Sequence, residues 1–266
     1  MPNIHKSPAI CPKTGKAIYL KKFKKLLKYK FKACQNILKV SFIFTPLSYY
    51  NIKVMIETFK KDDFYKNADL HIHSCFSDGM STPEDIVKRA KEKGLKHIAI
   101  SDHNTISAYL KTDILKDDFV IPAVEFDCWC GTVFYHLIAY EIDIKHEALK
   151  PFLAKSEKQT QSDIIRLFSF NRHPKKLIKA IHDAGGYAVL AHPACCTTFN
   201  LEKFVKKLVD YGLDGMEVYY LYSIRLSKLL RFCDVNKIEK IADKFNLIKT
   251  GGTDFHGDDY LNFDTN

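Results

Sequence analysis

Six times between residues 69 and 257, a short apolar run of β-forming residues carries a histidine or a carboxylate at or near its end. This recurrence confines the chain to folds that bring the ends of many strands to one place. The first run, Asp69-Leu70-His71-Ile72-His73, sets two histidines two residues apart. In a strand, residues i and i+2 point to the same face, so both imidazoles can aim at a single point, which is what a metal ion needs. An isolated pair of this kind more often just lines a strand; the clusters that follow are what single it out. Leu95–Ser101 runs into Asp102-His103-Asn104-Thr105, and Phe119–Val124 runs into Glu125. Thr132–Tyr140 carries His136, Tyr187–Ala191 ends at His192-Pro193, and Leu247–Thr250 leads to Gly251–Gly257 with Asp254 and His256.

Helical signals lie between the strands. Thr82 supplies an N-cap hydroxyl, Pro83 a first-turn proline, Glu84 and Asp85 first-turn acids, and Gly94 a stop. Lys175–Ala184 ends at Gly185-Gly186, Leu201–Tyr211 at Gly212, and Lys237–Phe245 at Asn246. Strand and helix in alternation predict a parallel α/β domain. In a (β/α) barrel the strand ends converge on one mouth, so residues scattered along the sequence would meet there.

The ordered set His71-x-His73, Ser77-Asp78-Gly79, Asp102-His103-Asn104-Thr105, Glu125, His136-Leu137, Ala191-His192-Pro193 and Gly252-Thr253-Asp254-Phe255-His256 resembles the PHP (polymerase and histidinol phosphatase) superfamily of metal-dependent phosphoesterases. Within it, the motifs most resemble the bacterial branch that hydrolyses nucleoside 3',5'-bisphosphates and trims short RNA 5' ends. The resemblance runs from about Ala68 to the C-terminus. It implies a distorted seven-stranded (β/α) barrel with two or three divalent cations at the strand ends. It also implies that His71, His73, Glu125 and Asp254 hold a first cation, and that Glu125 bridges to a second completed by His136 and His192. Asp78, His103 and His256 would hold a third. Mixed imidazole and carboxylate donors suit manganese, the first expectation, or zinc or iron.

Clustered cations favour phosphate ester hydrolysis because they neutralise phosphoryl oxygens and acidify bound water. The expected nucleophile is therefore metal-bound water held by Glu125, with Asp102 as an orienting group or as a cap of the following helix. Nucleotides or short RNA are the expected substrates, without a stable DNA complex. Histidinol phosphate, another small phosphomonoester and a non-catalytic PHP module are the alternatives. In the resembled branch a helical insertion encloses the substrate between the strands that carry the equivalents of His136 and His192. Here only about 145–172 is available, so the cap is expected to be short or absent. Arg166 and Arg172, its only arginines, are candidate phosphate contacts, with Lys158 and Lys175 nearby. Trp129 either faces a nucleobase or belongs to the core.

Cys128-Trp129-Cys130 and Cys195-Cys196 lack the spaced partner pair of a structural zinc site, so the cysteines are expected to be free thiols of a cytoplasmic protein. His5, His97, His146, His173 and His182 fall outside the motifs and are expected on the surface or in packing. The net charge of +10 is unevenly distributed. Residues 1–61 carry 14 Lys and Arg against one acid, whereas the rest carries 27 against 30. The sequence is thus expected to divide into a basic extension at 1–61 and a phosphoesterase domain at 62–266, and because the resembled family begins only shortly before the His-x-His strand, the extension is expected to be dispensable. Lys21–Lys32 is basic and amphipathic, suited to weak contact with an anionic membrane or with RNA. The uncharged run Val40–Ile52 is broken by Pro46 and is too short for a span of about 20 residues.

Overall fold

The computed structural model describes residues 55–169, 172–222 and 231–257. Residues 1–54, and with them the amphipathic segment 21–32, lie outside the described residues. Seven strands form one sheet in sequential order: β1 (Ala68–Ile72), β2 (His97–Ile100), β3 (Val120–Cys130), β4 (Val133–Tyr140), β5 (Tyr187–Leu190), β6 (Gly215–Tyr220) and β7 (Ile248–Gly252). Around it lie α1 (Met55–Thr58), α2 (Pro83–Glu92), α3 (Ser107–Lys111), α4 (Lys158–Gln161), α5 (Asp163–Ser169), α6 (Pro174–Asp183), α7 (Leu201–Val209) and α8 (Ile238–Lys244). This is the distorted (β/α)7 barrel.

The helix boundaries follow the signals in the chain. The Thr82 hydroxyl accepts the Asp85 N–H (3.1 Å) at the start of α2, and Asn200 accepts the Lys203 N–H (3.0 Å) at the start of α7. Apolar faces of these helices pack on the outer side of the sheet, with Ile86, Leu177, Ile178, Val205 and Leu208 buried against Val124, Phe126, Leu137 and Leu190. A second apolar cluster, with Leu70, Ile121, Ala123, Ile138, Tyr140 and Val189, fills the barrel interior.

In two respects the sheet departs from the expected parallel alternation. β3 runs antiparallel to β4, and β4 antiparallel to β5, while the other neighbouring pairs are parallel. The cause is local: Gly131, at φ +66°, turns the chain directly back on itself where a crossover helix would otherwise stand. Consequently β3 does not stop at Val124. It continues to Cys130 and places Glu125 inside a strand, not beyond its end.

The seam between β7 and β1 needs close backbone approach. A Cβ at Gly252 would lie 2.4 Å from the His71 Cβ, so only glycine fits there. Backbone bonds cross the seam from Asp254 N to His71 O (2.8 Å) and from His73 N to Phe255 O (2.9 Å). The Asp69 carboxylate adds bonds from Thr253 N (2.9 Å) and Thr253 Oγ1 (2.7 Å). Residues 55–61, assigned from the sequence to the extension, take part in the body: Ile56 is 1% exposed and packs in the interior cluster.

Candidate metal centre

Alternation along the strands decides which side chains reach the mouth. On β3 Ala123 faces the apolar interior, and Glu125 and Asp127 follow on the same face. On β4, Tyr140 and Ile138 face inward and His136 continues that row. His71 and His73 come from the end of β1, and His103 from a bridge pairing with Glu125. His192 follows β5, while Asp254 and His256 follow β7. Asp254 and His192 have φ of +52° and +24°, conformations that non-glycine residues rarely adopt. Strain of this kind persists only where its surroundings enforce it.

The nine residues expected to be metal ligands lie close together at one cleft, where the three expected donor sets can be measured, and His103, Asp127 and His136 form a further group whose donor atoms could hold a cation. In the first, His71 Nε2 and His73 Nε2 are 3.1 Å apart. They lie 3.4 and 3.3 Å from Glu125 Oε2, and 3.3 and 3.1 Å from Asp254 Oδ1. Donor atoms so spaced sit about 2 Å from a common centre, the bond length of nitrogen and oxygen to zinc-sized cations. In the second, Glu125 Oε1, His136 Nδ1 and His192 Nε2 form a triangle with sides of 3.1, 3.2 and 3.0 Å. The third is looser: Asp78 Oδ1 is 3.3 Å from His256 Nε2 and 3.6 Å from His73 Nδ1, and Asp78 Oδ2 is 3.7 Å from His103 Nε2.

Electrostatics explain why these groups tolerate one another. Asp78 Oδ1, His103 Nδ1, Glu125 Oε2, Asp127 Oδ1 and His192 Nδ1 are buried without a hydrogen-bond partner. Such groups are costly unless a charge compensates them, and a cation is the partner that this chemistry fits. In the protein alone, protons fill that role. Burial disfavours charge on His71, but Glu217, Glu125 and Asp254 outweigh it and hold its pKa well above the ordinary value. His73 is raised to about 9 by Asp254, Glu125 and Asp78 against its burial. Burial likewise opposes ionisation of Glu125 and Asp254, yet the surrounding imidazoles hold both carboxyls far below the usual range. His103 goes the other way, because burial lowers it despite Glu125 and Asp127.

Outer partners aim the donors. Glu217 on β6 is fully buried; its Oε1 lies 3.0 Å from His71 Nδ1 and its Oε2 accepts the His192 backbone N–H (2.7 Å). It thereby turns His71 Nε2 toward the first donor set. The His256 Nδ1 is 2.8 Å from the Asp254 carbonyl, and Tyr220 donates its phenol proton to Asp254 Oδ2 (2.7 Å). Asp102 does not cap α3, whose N-cap is Ile106. Its carboxylate accepts Ser74 N (2.7 Å), Ser74 Oγ (2.6 Å) and Ser77 Oγ (2.6 Å), fixing the loop that carries Asp78. Neither Glu217 nor Asp127 figured in the reading of the sequence. Period-two spacing from Glu125 marks Asp127, and Gly215–Tyr220 is a short strand with one acid in it.

The cleft has a volume of about 540 Å³; Phe134, Cys195 and Arg166 line it together with Asp78, His103, Glu125, His136, His192, Asp254 and His256, while His71 and His73 are buried beside it. Arg166, from α5, donates through Nη1 to Asp78 Oδ2 (2.5 Å) and to the Thr160 carbonyl (3.1 Å). Arg172 sits elsewhere. It donates to the Asp127 carbonyl (2.7 Å) and the Phe152 carbonyl (2.9 Å), and is not among the cleft residues. The segment 145–172 holds a 3-10 helix, α4 and α5, and Lys158 and Lys175 are exposed away from the cleft lining. Trp129 packs behind Phe134, with ring centroids 5.1 Å apart, and donates its indole N–H to the Leu167 carbonyl (2.9 Å). Cys75, Cys128, Cys130, Cys195, Cys196 and Cys233 are free thiols. Among the described residues no helix is long and apolar enough to cross a membrane.

Comparison with known proteins agrees with this geometry. A family model described as the PHP domain matches residues 69–242. The 5'-3' exoribonuclease Rnm of Salmonella typhimurium is 35% identical over 99 residues, 35% of this chain and 34% of that protein, so the match spans about a third of its length. A 5'-3' exoribonuclease of Haemophilus influenzae is 24% identical over an alignment of 258 residues, covering 72% of this chain and 90% of that protein. A solved structure from Bifidobacterium adolescentis, described as a metal-dependent phosphoesterase, shares the fold with a TM-score of 0.56 at 19% identity, covering 72% of this chain and 88% of that one.

Proposed function

The chain belongs to the PHP domain family of metal-dependent phosphoesterases, a hydrolase of phosphoester bonds, and from that premise we propose that it acts on nucleoside 3',5'-bisphosphates or on the 5' ends of short RNA. The observation that carries the reading is the placement of Glu125. Its Oε2 belongs to the His71, His73 and Asp254 set and its Oε1 to the His136 and His192 set, so one carboxylate serves two adjacent cation sites.

When bound, divalent cations supply neutralisation of the phosphoryl oxygens, acidified solvent as the nucleophile, and stabilisation of the leaving oxygen. The rest falls to the chain. His71, His73, Glu125 and Asp254 would hold a first cation, His136 and His192 would complete a second with Glu125, and Asp78, His103 and His256 would hold a third. Arg166 is the phosphate clamp, since its guanidinium borders the cleft and already bonds a carboxylate there. Arg172 is a structural tie between β3 and the segment at Phe152. Phe134 favours a nucleotide over a bare phosphomonoester, because it lines the cleft beside His136, with ring centroids 5.1 Å apart, and offers a face on which a base can stack.

Purified protein is incubated with Mn²⁺ and, separately, 3'-phosphoadenosine 5'-phosphate, 5'-phosphorylated oligoribonucleotides and histidinol phosphate. Release of phosphate or mononucleotide from either of the first two is expected. Selective turnover of histidinol phosphate would replace the substrate assignment, and no cation-dependent turnover of any of the three would overturn the proposal.

A further inference from the structure

Asp127 is 1% exposed and stands two residues beyond Glu125 on the same face of β3, where it borders the cleft. Its Oδ1 lies 3.0 Å from His136 Nε2 and 3.3 Å from His103 Nδ1, and the three donor atoms all lie within 4.8 Å of one another. Asp127 Oδ1 and His103 Nδ1 are buried without a hydrogen-bond partner. A second carboxylate oxygen, Glu125 Oε2, lies 3.3 Å from His103 Nδ1 and is unpartnered too. Arg166 does not fill the gap. Its Nε is 3.8 Å from Asp127 Oδ1, beyond hydrogen-bond reach, and its guanidinium is held by Asp78 and Asp163.

Two imidazole nitrogens and a carboxylate oxygen so spaced are the donor set of a first-row divalent cation bonded at about 2 Å. The carboxylate is fixed from its other side: Oδ2 accepts the Asn104 side-chain N–H, and Asn104 Oδ1 accepts the Asp127 backbone N–H (3.1 Å). The two nitrogens are the ones opposite those of the second and third donor sets, since His136 turns Nδ1 toward Glu125 and His192, and His103 turns Nε2 toward Asp78. A neutral imidazole has one nitrogen lone pair to give. Each of these rings therefore serves one of its two neighbouring positions at a time.

We propose that His103, Asp127 and His136 form a fourth cation position, suited to a zinc-sized divalent ion, that alternates with the second and third. The alternation rests on the ligand assignment made under the proposed function. Its readout is cation binding rather than turnover. Protein that shows the fourth position but hydrolyses nothing would sink the function alone, whereas protein that binds no divalent cation would sink both.

The test titrates metal-free protein with Co²⁺, reading cation content and absorption. Asp78→Ala with His192→Ala removes a donor from the third and second sets and leaves all three donors of the fourth position. This double variant should bind about two cations per chain, at the first and fourth positions, and adding Asp127→Asn should reduce that to about one. The amide can keep its oxygen on the Asn104 N–H, and it then turns toward the imidazoles an NH₂ group that offers a cation no lone pair. Adding Asp127→Cys instead supplies a thiolate ligand. A sulfur-to-cobalt charge-transfer band should then appear in the near ultraviolet, beyond any that Cys195 in the cleft gives without the substitution. In Asp127→Cys alone, with the second and third sets intact, that band should fade at saturating Co²⁺, because two cations bound there displace one by mass action. Unchanged cation content on adding Asp127→Asn overturns the proposal, and so does a band at saturation as strong in Asp127→Cys alone as in the triple variant. If the chain with Asp127→Asn fails to fold, the presence or absence of the band in the triple variant decides in its place.

Discussion

Ala123 and Glu125 are two residues apart on one face of β3, yet they belong to regions built on opposite principles. In the interior, Ile121, Ala123, Ile138 and Val189 belong to one apolar cluster, and the buried Tyr140 hydroxyl donates to the Leu70 carbonyl (2.8 Å). At the mouth, equally buried oxygens and nitrogens face each other at 3.0–3.4 Å with no hydrogen-bond partner for several of them. The interior is complete as folded. The mouth is completed by protons or by cations. Stability and activity are thereby separated along single strands, and substitutions on either side of that boundary should fail in different ways.

The largest effect is expected at the mouth. Asp254→Ala or His73→Ala should lower Mn²⁺-dependent turnover by at least about a thousandfold, with the far-ultraviolet circular dichroism spectrum retained; retained turnover in either variant would contradict the assigned ligands. Below it, Ile121→Ala should behave in the opposite way. Unfolding in urea should show a loss of about 2–5 kcal/mol, as for other buried large-to-small changes, with turnover per folded molecule unchanged. A stable variant with impaired turnover would blur the boundary. Intermediate in size, Glu217→Gln should weaken binding at the first site by about 10- to 100-fold in a Co²⁺ titration, because the amide no longer enforces hydrogen on His71 Nδ1.

The smallest effect concerns pH. His73 has a pKa of about 9 in the cation-free protein, raised above its unfolded value. Its contribution to the stability of that form is full below about 6.5 and is lost as pH rises through about 9. Cation binding displaces the same proton, so affinity should rise with pH, by up to about tenfold per unit, and level off above about 9. Calorimetric titrations across this range that show no pH dependence of Mn²⁺ affinity would remove the protonated-cage description.

Most of the nine expected ligands, which lie together in the fold, carry a local signal, an apolar run with a histidine or an acid in it or at its end, whereas Asp78 stands in the loop after β1 and was named from the family resemblance. Asp127 and Glu217 were not legible, since a lone acid in a strand looks like any surface acid until the neighbouring strands show what it faces. The antiparallel turn at Gly131 escaped for a related reason: the helix signals on either side suggested unbroken alternation. Arg166 and Arg172 have identical side chains in one segment, and only tertiary contacts separate the residue that borders the cleft from the one engaged with backbone carbonyls. Ile56 lies beside the basic region, and composition could not assign it to the core.

The seam at Gly252 has a consequence for the order of events during synthesis. The peptide groups that join the last strand to the first, Asp254 N to His71 O and His73 N to Phe255 O, belong to or adjoin the residues that furnish the first donor set. Barrel closure and assembly of that set are one event, and a nascent chain still lacking its final strand holds at most three of the four donors.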